Sequence, residues 1–164
     1  MANWQNKRRV SDGDATLMAR PYTVDASVFL NAFNPAEVGH ADSNQLLALL
    51  QAQTLPMIVP TFVLPEVAAT ISRVRGDAGL ARAFADQLSR LSNVMLITLD
   101  QILAQQAADV AAQHRLRGSD AVYAAVALRF GTVLVTLDRE QHDRLTSVLT
   151  TYYPLEALTA FPAP

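Results

Sequence analysis

The chain has 164 residues, a formal net charge of −2, 51% apolar and 17% charged residues, and no cysteine. That length and apolar content allow one domain with a sizeable core and exclude a disordered chain. The charge argues against a general polyanion binder, and the missing thiols exclude disulfides, thiolate metal sites and cysteine nucleophiles.

No apolar run approaches the roughly 20 residues of a membrane-spanning helix. The first 20 residues also lack the continuous apolar segment of a signal peptide. A cytoplasmic protein is therefore expected. Twelve of the thirteen basic residues are Arg, with Lys7 the one exception. Arg is the better bidentate partner for phosphate, but a GC-rich coding bias gives the same composition, so charge alone decides nothing.

Residues 1–20 are polar and aperiodic, which predicts a flexible extension. Its Lys7, Arg8 and Arg9 form a short basic cluster of the kind that is usually only solvated. Tyr22 to Asp25 predicts a strand, and Ala26 to Phe33 a helix closed by Pro35. Leu46, Leu47, Leu49 and Leu50 stripe a helix over 41–53, with Asp42 or Ser43 as its cap. Met57 to Val59 is a second strand between Pro56 and Pro60. Thr61 is then placed to cap a helix from Phe62 to Arg75, with Pro65 tolerated in the first turn.

After a break at Gly76-Asp77, Gly79 to Leu91 predicts an amphipathic helix, Val94 to Thr98 a third strand, and Asp100 to His114 an Ala-rich helix. The stretch from Leu116 to Asp138 combines a cap at Ser119, a helix apolar almost all round, a stop at Gly131 and a strand from Thr132 to Leu137. Arg139 to Leu145 follows as a short helix and Ser147 to Tyr153 as a last strand, leaving 154–164 as a tail. The domain is thus expected over 21–153. No strand reads as half-exposed, so the alternation argues for an α/β fold, a three-layer α/β/α sandwich around a mostly parallel sheet.

In such a sheet, ligands gather beyond the carboxyl ends of the strands. Asp25 closes the first predicted strand and Asp138 the fourth, while Glu66 and Asp120 lie early in helices. Each acid alone has a structural alternative: Asp25, Asp120 and Asp138 as caps, Glu66 paired with Arg73 two turns along. Together, four acids interrupting apolar runs imply one site. Clustered carboxylates repel one another and raise their pKa values, and a hard dication such as Mg²⁺ or Mn²⁺ relieves that. The hydroxyls of Ser27 and Thr136 stand two residues from Asp25 and Asp138, in reach of a carboxylate or a water. His40, His114 and His142 have no metal-like spacing.

The succession Y-T-V-D-A-S-V-F-L-N, P-x-x-x-L-P-E-V, G-S-D-A-V-Y-A-A-V-A and L-V-T-L-D resembles the PIN domain family, and within it the VapC-like toxins of toxin–antitoxin pairs. The resemblance covers about residues 21–150. It implies a Mg²⁺- or Mn²⁺-dependent ribonuclease whose acidic set is Asp25, Glu66, Asp120 and Asp138. Asp25, Asp120 and Asp138 are its metal ligands, with Ser27, Asn31 and Thr136 in support. It also implies an RNA substrate, a small antitoxin partner and a homodimer. Arg73, Arg75, Arg115 and Arg117 are candidate contacts to the RNA backbone.

The alternative is a catalytically weak module of the same fold that binds protein or RNA, for example through the Leu-rich helix at 41–53. Other acid-based phosphate enzymes fit poorly. A haloacid-dehalogenase-like site wants an Asp where Ser27 stands, a receiver domain wants a late Lys, and phosphate-binding glycine loops are absent.

Overall fold

The computed structural model describes residues 20–161. Strands β1 (Tyr22–Val24), β2 (Met57–Pro60), β3 (Val94–Ile97), β4 (Val133–Val135) and β5 (Thr151–Tyr152) form one sheet in the order β3-β2-β1-β4-β5. All four pairings are parallel. Around the sheet lie α1 (Ala26–Phe33), α2 (His40–Ala52), α3 (Val63–Arg75), α4 (Ala78–Ser89), α5 (Gln101–His114), α6 (Gly118–Phe130), α7 (Arg139–Leu145) and α8 (Pro154–Thr159). The expected three-layer α/β/α sandwich is the observed fold. The basic cluster at Lys7, Arg8 and Arg9, and most of the predicted extension, lie outside the described residues.

The first described strand, β1, lies at the centre of the sheet, and the chain leaves it on one side. It moves outward through β2 to β3, and α5 and α6 then carry it back past β1 to β4. The winding direction therefore reverses between β1 and β4, which opens a crevice at their carboxyl ends. Val24, Met57, Val59, Leu134 and Val135 are essentially inaccessible, as central strands covered on both faces require. Thr23 is buried too; its hydroxyl lies 2.8 Å from the Ile58 carbonyl and 2.6 Å from the Thr132 hydroxyl, tying β1 to both sides.

Every residue of α6 from Ala121 to Ala127 is buried. Its small Ala side chains let the helix lie across β2, β1 and β4 while α5 covers it. Tyr123 is the largest fully buried side chain of this core. Gly131 ends α6 at φ +63°, a left-handed conformation that disfavours any residue with a Cβ.

Several local expectations are corrected. β3 is an edge strand with Met95 52% exposed, so one strand is half-open after all. α6 begins at Gly118 with Arg117 as its N-cap, not Ser119. α2 starts at His40 after a left-handed Gly39, upstream of Asp42 and Ser43, and Phe62 rather than Thr61 precedes α3. The last strand shrinks to Thr151–Tyr152. The segment read as a tail holds α8, which Pro154 opens from its first turn and which packs on α2.

Candidate active site

Asp25 follows β1 directly and caps α1. Its Oδ2 accepts the Ser27 backbone N–H at 2.9 Å, and its own N–H donates to the Val135 carbonyl of β4 at 2.9 Å. The Ser27 hydroxyl accepts the Leu137 N–H at 3.1 Å, so the start of α1 is clipped to the segment leaving β4. The buried Thr136 hydroxyl accepts the Asp138 N–H at 3.0 Å. Asp138 in turn caps α7, its Oδ1 accepting the Gln141 N–H at 2.9 Å. Both strand-exit acids thus spend one oxygen on a helix N-terminus. The other oxygen of Asp138 faces Arg117 at 3.6 Å.

Asp120 enters from the first turn of α6. The Gln141 side-chain amide donates to its backbone carbonyl at 3.1 Å, which links α6 to α7. Glu66 enters from the first turn of α3 and accepts a 2.6 Å hydrogen bond from the Tyr123 hydroxyl. Glu66 does not pair with Arg73, which bonds the Thr70 hydroxyl instead.

The acids feel one another. Burial pushes the Glu66 carboxyl up to about 7; the Tyr123 bond opposes the rise, and the charges of Asp25 and Asp120 add to it. Burial likewise pushes Asp120 up to about 6, reinforced by Asp25 and Asp138 and opposed by Arg117. Asp25 is raised by burial against its Ser27 hydrogen bonds, with Asp138 adding to the rise. Among the described residues, no three acidic or His side chains stand close enough to share one ion. The donor set still fits a hard dication in kind, because every candidate ligand is a carboxylate and the charges of Asp25 and Asp120 are disfavoured by burial and by neighbouring acids.

The supporting residues divide. Ser27 and Thr136 order the backbone that carries the acids. Asn31 does not join them; its buried amide clips the α1–α2 loop through Val38 and Glu37. Arg117 lies at the site, bridging Asp138 and Glu140, and Arg73 lines a hollow with Glu66. Arg75 and Arg115 stand elsewhere. Arg75 lies over Phe33 at the far end of α3, and the Arg115 carbonyl accepts from the Arg144 guanidinium. The histidines have packing roles where the contacts define them: His142 stacks on Tyr153 at 4.0 Å, and His40 bonds the Asn31 carbonyl.

Two residues that touch the acids escape a sequence reading. Tyr123 looks like one more apolar position of α6, although its place three residues after Asp120 puts both on adjoining turns. Gln141 carries no signal beyond its place three residues after Asp138.

A wholly parallel α/β/α domain with an acid at the carboxyl end of each strand flanking the sheet's reversal point is the class that fold and site define. The chain belongs to the PIN domain family, whose sequence model matches residues 22–146. No curated protein matches the chain in sequence.

Solved structures match its fold. One is VapC20 of Mycobacterium tuberculosis, a sarcin–ricin loop cleaving toxin, at TM-score 0.64 and 20% identity, covering 79% of this chain and 96% of that one. Another is VapBC2 of Rickettsia felis, bound to a DNA fragment from its promoter, at TM-score 0.61 and 16% identity, covering 80% and 97%. A third is a toxin–antitoxin complex from Klebsiella pneumoniae, at TM-score 0.58 and 15% identity, covering 82% and 97%. Among the described residues, no helix is long and apolar enough to cross a membrane.

Proposed function

We propose that this chain is a cytoplasmic ribonuclease dependent on Mg²⁺ or Mn²⁺, the toxin of a toxin–antitoxin pair. The observation that carries this reading is the pairing of Asp25 and Asp138 at the carboxyl ends of adjoining β1 and β4, tied by the Ser27–Leu137 hydrogen bond, with the charge of Asp25 felt at both Asp120 and Glu66. Family membership supports it, as does the likeness in fold to a toxin that cleaves the sarcin–ricin loop.

Asp25, Asp120 and Asp138 would hold the ion, drawn closer together by it than they stand in the ion-free chain. When bound, it lowers the pKa of a water and stabilises charge on a phosphoryl oxygen. The chain's own groups do the rest. Glu66, poised near neutrality, orients the attacking water and takes its proton as the P–O bond forms and the 3′ oxygen departs. Tyr123 holds Glu66 in place, and the Ser27 clip fixes Asp25 relative to Asp138. Arg117 and Arg73 contact the RNA backbone as phosphate partners.

The partner half of the reading rests on an apolar groove of about 370 Å³ between α1, α2 and α4, where Phe29, Phe33, Leu47 and Phe84 meet. A short amphipathic antitoxin segment fits such a groove, and the active chain is a homodimer. The same groove favours the second reading, a module of this fold that acts by binding alone.

Incubation of single-stranded RNA with the protein and Mg²⁺ separates the two. Cleavage abolished by EDTA and reduced at least about 100-fold in Asp120→Asn is the expected result. Cleavage that survives both treatments overturns the site, and no cleavage by the unaltered chain favours the binding module.

A further inference from the structure

On its outer face, α3 carries a hollow of about 310 Å³ lined by Phe62, Pro65, Glu66, Ala69, Thr70 and Arg73. These positions recur at the three- and four-residue spacing of a single helical stripe. The stripe has large side chains at its ends and small ones at Ala69 and Thr70, and that difference in size makes the hollow. One end is apolar and aromatic. Phe62 is half-buried and, unlike Val63 and Val67, is not part of the core cluster. The other end is cationic. Among the described residues Arg73 makes no ion pair, and its guanidinium is steadied by the Thr70 hydroxyl at 3.3 Å. Between them, Glu66 is shared with the acidic crevice, where Tyr123 holds it.

We propose that this hollow seats one nucleotide of single-stranded RNA next to the scissile phosphate, with its base on Phe62 and its phosphate on Arg73. This rests on the ribonuclease reading above and adds to it a subsite with a chemical class. An aromatic face accepts any base by stacking, and a guanidinium without a carboxylate partner accepts a phosphate; together they form the usual platform for a single strand. A duplex keeps its bases stacked inside and has none to place on Phe62, so the subsite selects unpaired RNA. The stripe's direction also sets a path for the strand, from the crevice at Glu66 along α3 toward Arg73.

The test uses the full chain and a short single-stranded RNA carrying one 2-aminopurine, whose fluorescence is quenched when it stacks. Binding is followed in the Asp120→Asn background, and cleavage in the active chain with Mg²⁺. Phe62→Leu is expected to abolish the quench and weaken binding by roughly 5- to 100-fold; in cleavage the loss falls mainly on KM. Phe62→Trp restores both. Arg73→Gln is expected to weaken binding of every sequence and to lower the salt dependence of log Kd by about 0.7. Phe62 lies outside the core cluster, so the Leu variant should melt with the parent chain, and the Trp variant gives an answer even if it does not. A chain that cleaves RNA while Phe62→Leu keeps its quench and KM overturns the subsite and leaves the ribonuclease reading intact. A chain that neither binds nor cuts RNA overturns the reading itself.

Discussion

Replacing Tyr123 by Phe removes one hydroxyl from the buried face of α6 and leaves the ring that fills the core. The hydroxyl donates to Glu66 at 2.6 Å, a length typical of a bond to an ionised acceptor. Such bonds are worth about 1.5–3 kcal/mol, and Glu66 is only half-buried, so the lower end of the range applies. At 1.36 kcal/mol per pH unit, losing the bond raises the midpoint of Glu66, now about 7, by roughly one pH unit. The sign follows from which form the bond favours: Tyr123 stabilises the carboxylate, so its removal makes Glu66 hold its proton to higher pH.

The direct measurement is a carbon-13 NMR titration of the Glu66 carboxyl in metal-free protein. In the pH–rate profile of RNA cleavage, the acid limb should move up by the same amount. The cost at pH 7 is then about 5- to 10-fold in rate, recovered near pH 9. Thermal stability should fall by only about 3–6 °C, as one lost hydrogen bond of about 1.5 kcal/mol implies for a chain of this size. A midpoint that stays put or moves down would refute the role given to this hydrogen bond.

Two further outcomes follow from the same carboxylates. Asp25, Glu66 and Asp120 all have raised folded pKa values, so the folded chain retains protons that the unfolded chain releases at lower pH. In EDTA the protein should therefore lose stability as pH rises from about 4 to about 7, and millimolar Mn²⁺ at pH 8 should restore it; a Tm in EDTA that climbs over that interval contradicts the assignment. Gln141→Met keeps the length of a fully buried side chain but deletes the donor that holds the Asp120 carbonyl. The expected loss is about 1 kcal/mol in a thermal melt, because the unpartnered Gln141 Oε1 is removed as well, with a drop in kcat at constant KM; a variant with unchanged kcat argues against a positioning role.

The parts of the fold that could be read in the sequence are those where local and long-range forces agree. Val133 to Val135 is β-branched or apolar, is followed by a helix start and is buried on both faces, so each signal points to a strand. The positions of Asp25 and Asp138 at strand exits were legible because a carboxylate closing an apolar run marks where a strand gives way to a helix start. The misread caps lie where side-chain preference and tertiary packing diverge. Ser119 and Ser43 are good capping residues by chemistry, yet their helices already begin one and three residues earlier, at Gly118 and His40. Edge position cannot be read from β3 itself, since Met95 would suit a covered strand equally well and only the sheet order leaves it open. The Tyr123–Glu66 bond joins residues 57 positions apart, and no spacing rule reaches that far.

The double employment of Asp25 and Asp138 has a consequence for the genetics of the chain. At each, one carboxylate oxygen is engaged by a helix N-terminus, so fold integrity and chemistry are inherited together. An alanine there removes a cap worth about 0.5–2 kcal/mol along with the charge, whereas asparagine keeps the cap and discards only the charge. Asp120 caps nothing and is under no such double constraint, whereas Glu66 caps nothing but must still accept the Tyr123 hydroxyl. Selections for harmless, still-folded versions of this protein should accordingly collect many different substitutions at Asp120, mainly acceptors such as glutamine at Glu66, and mainly the capping residues asparagine, serine and threonine at Asp25 and Asp138.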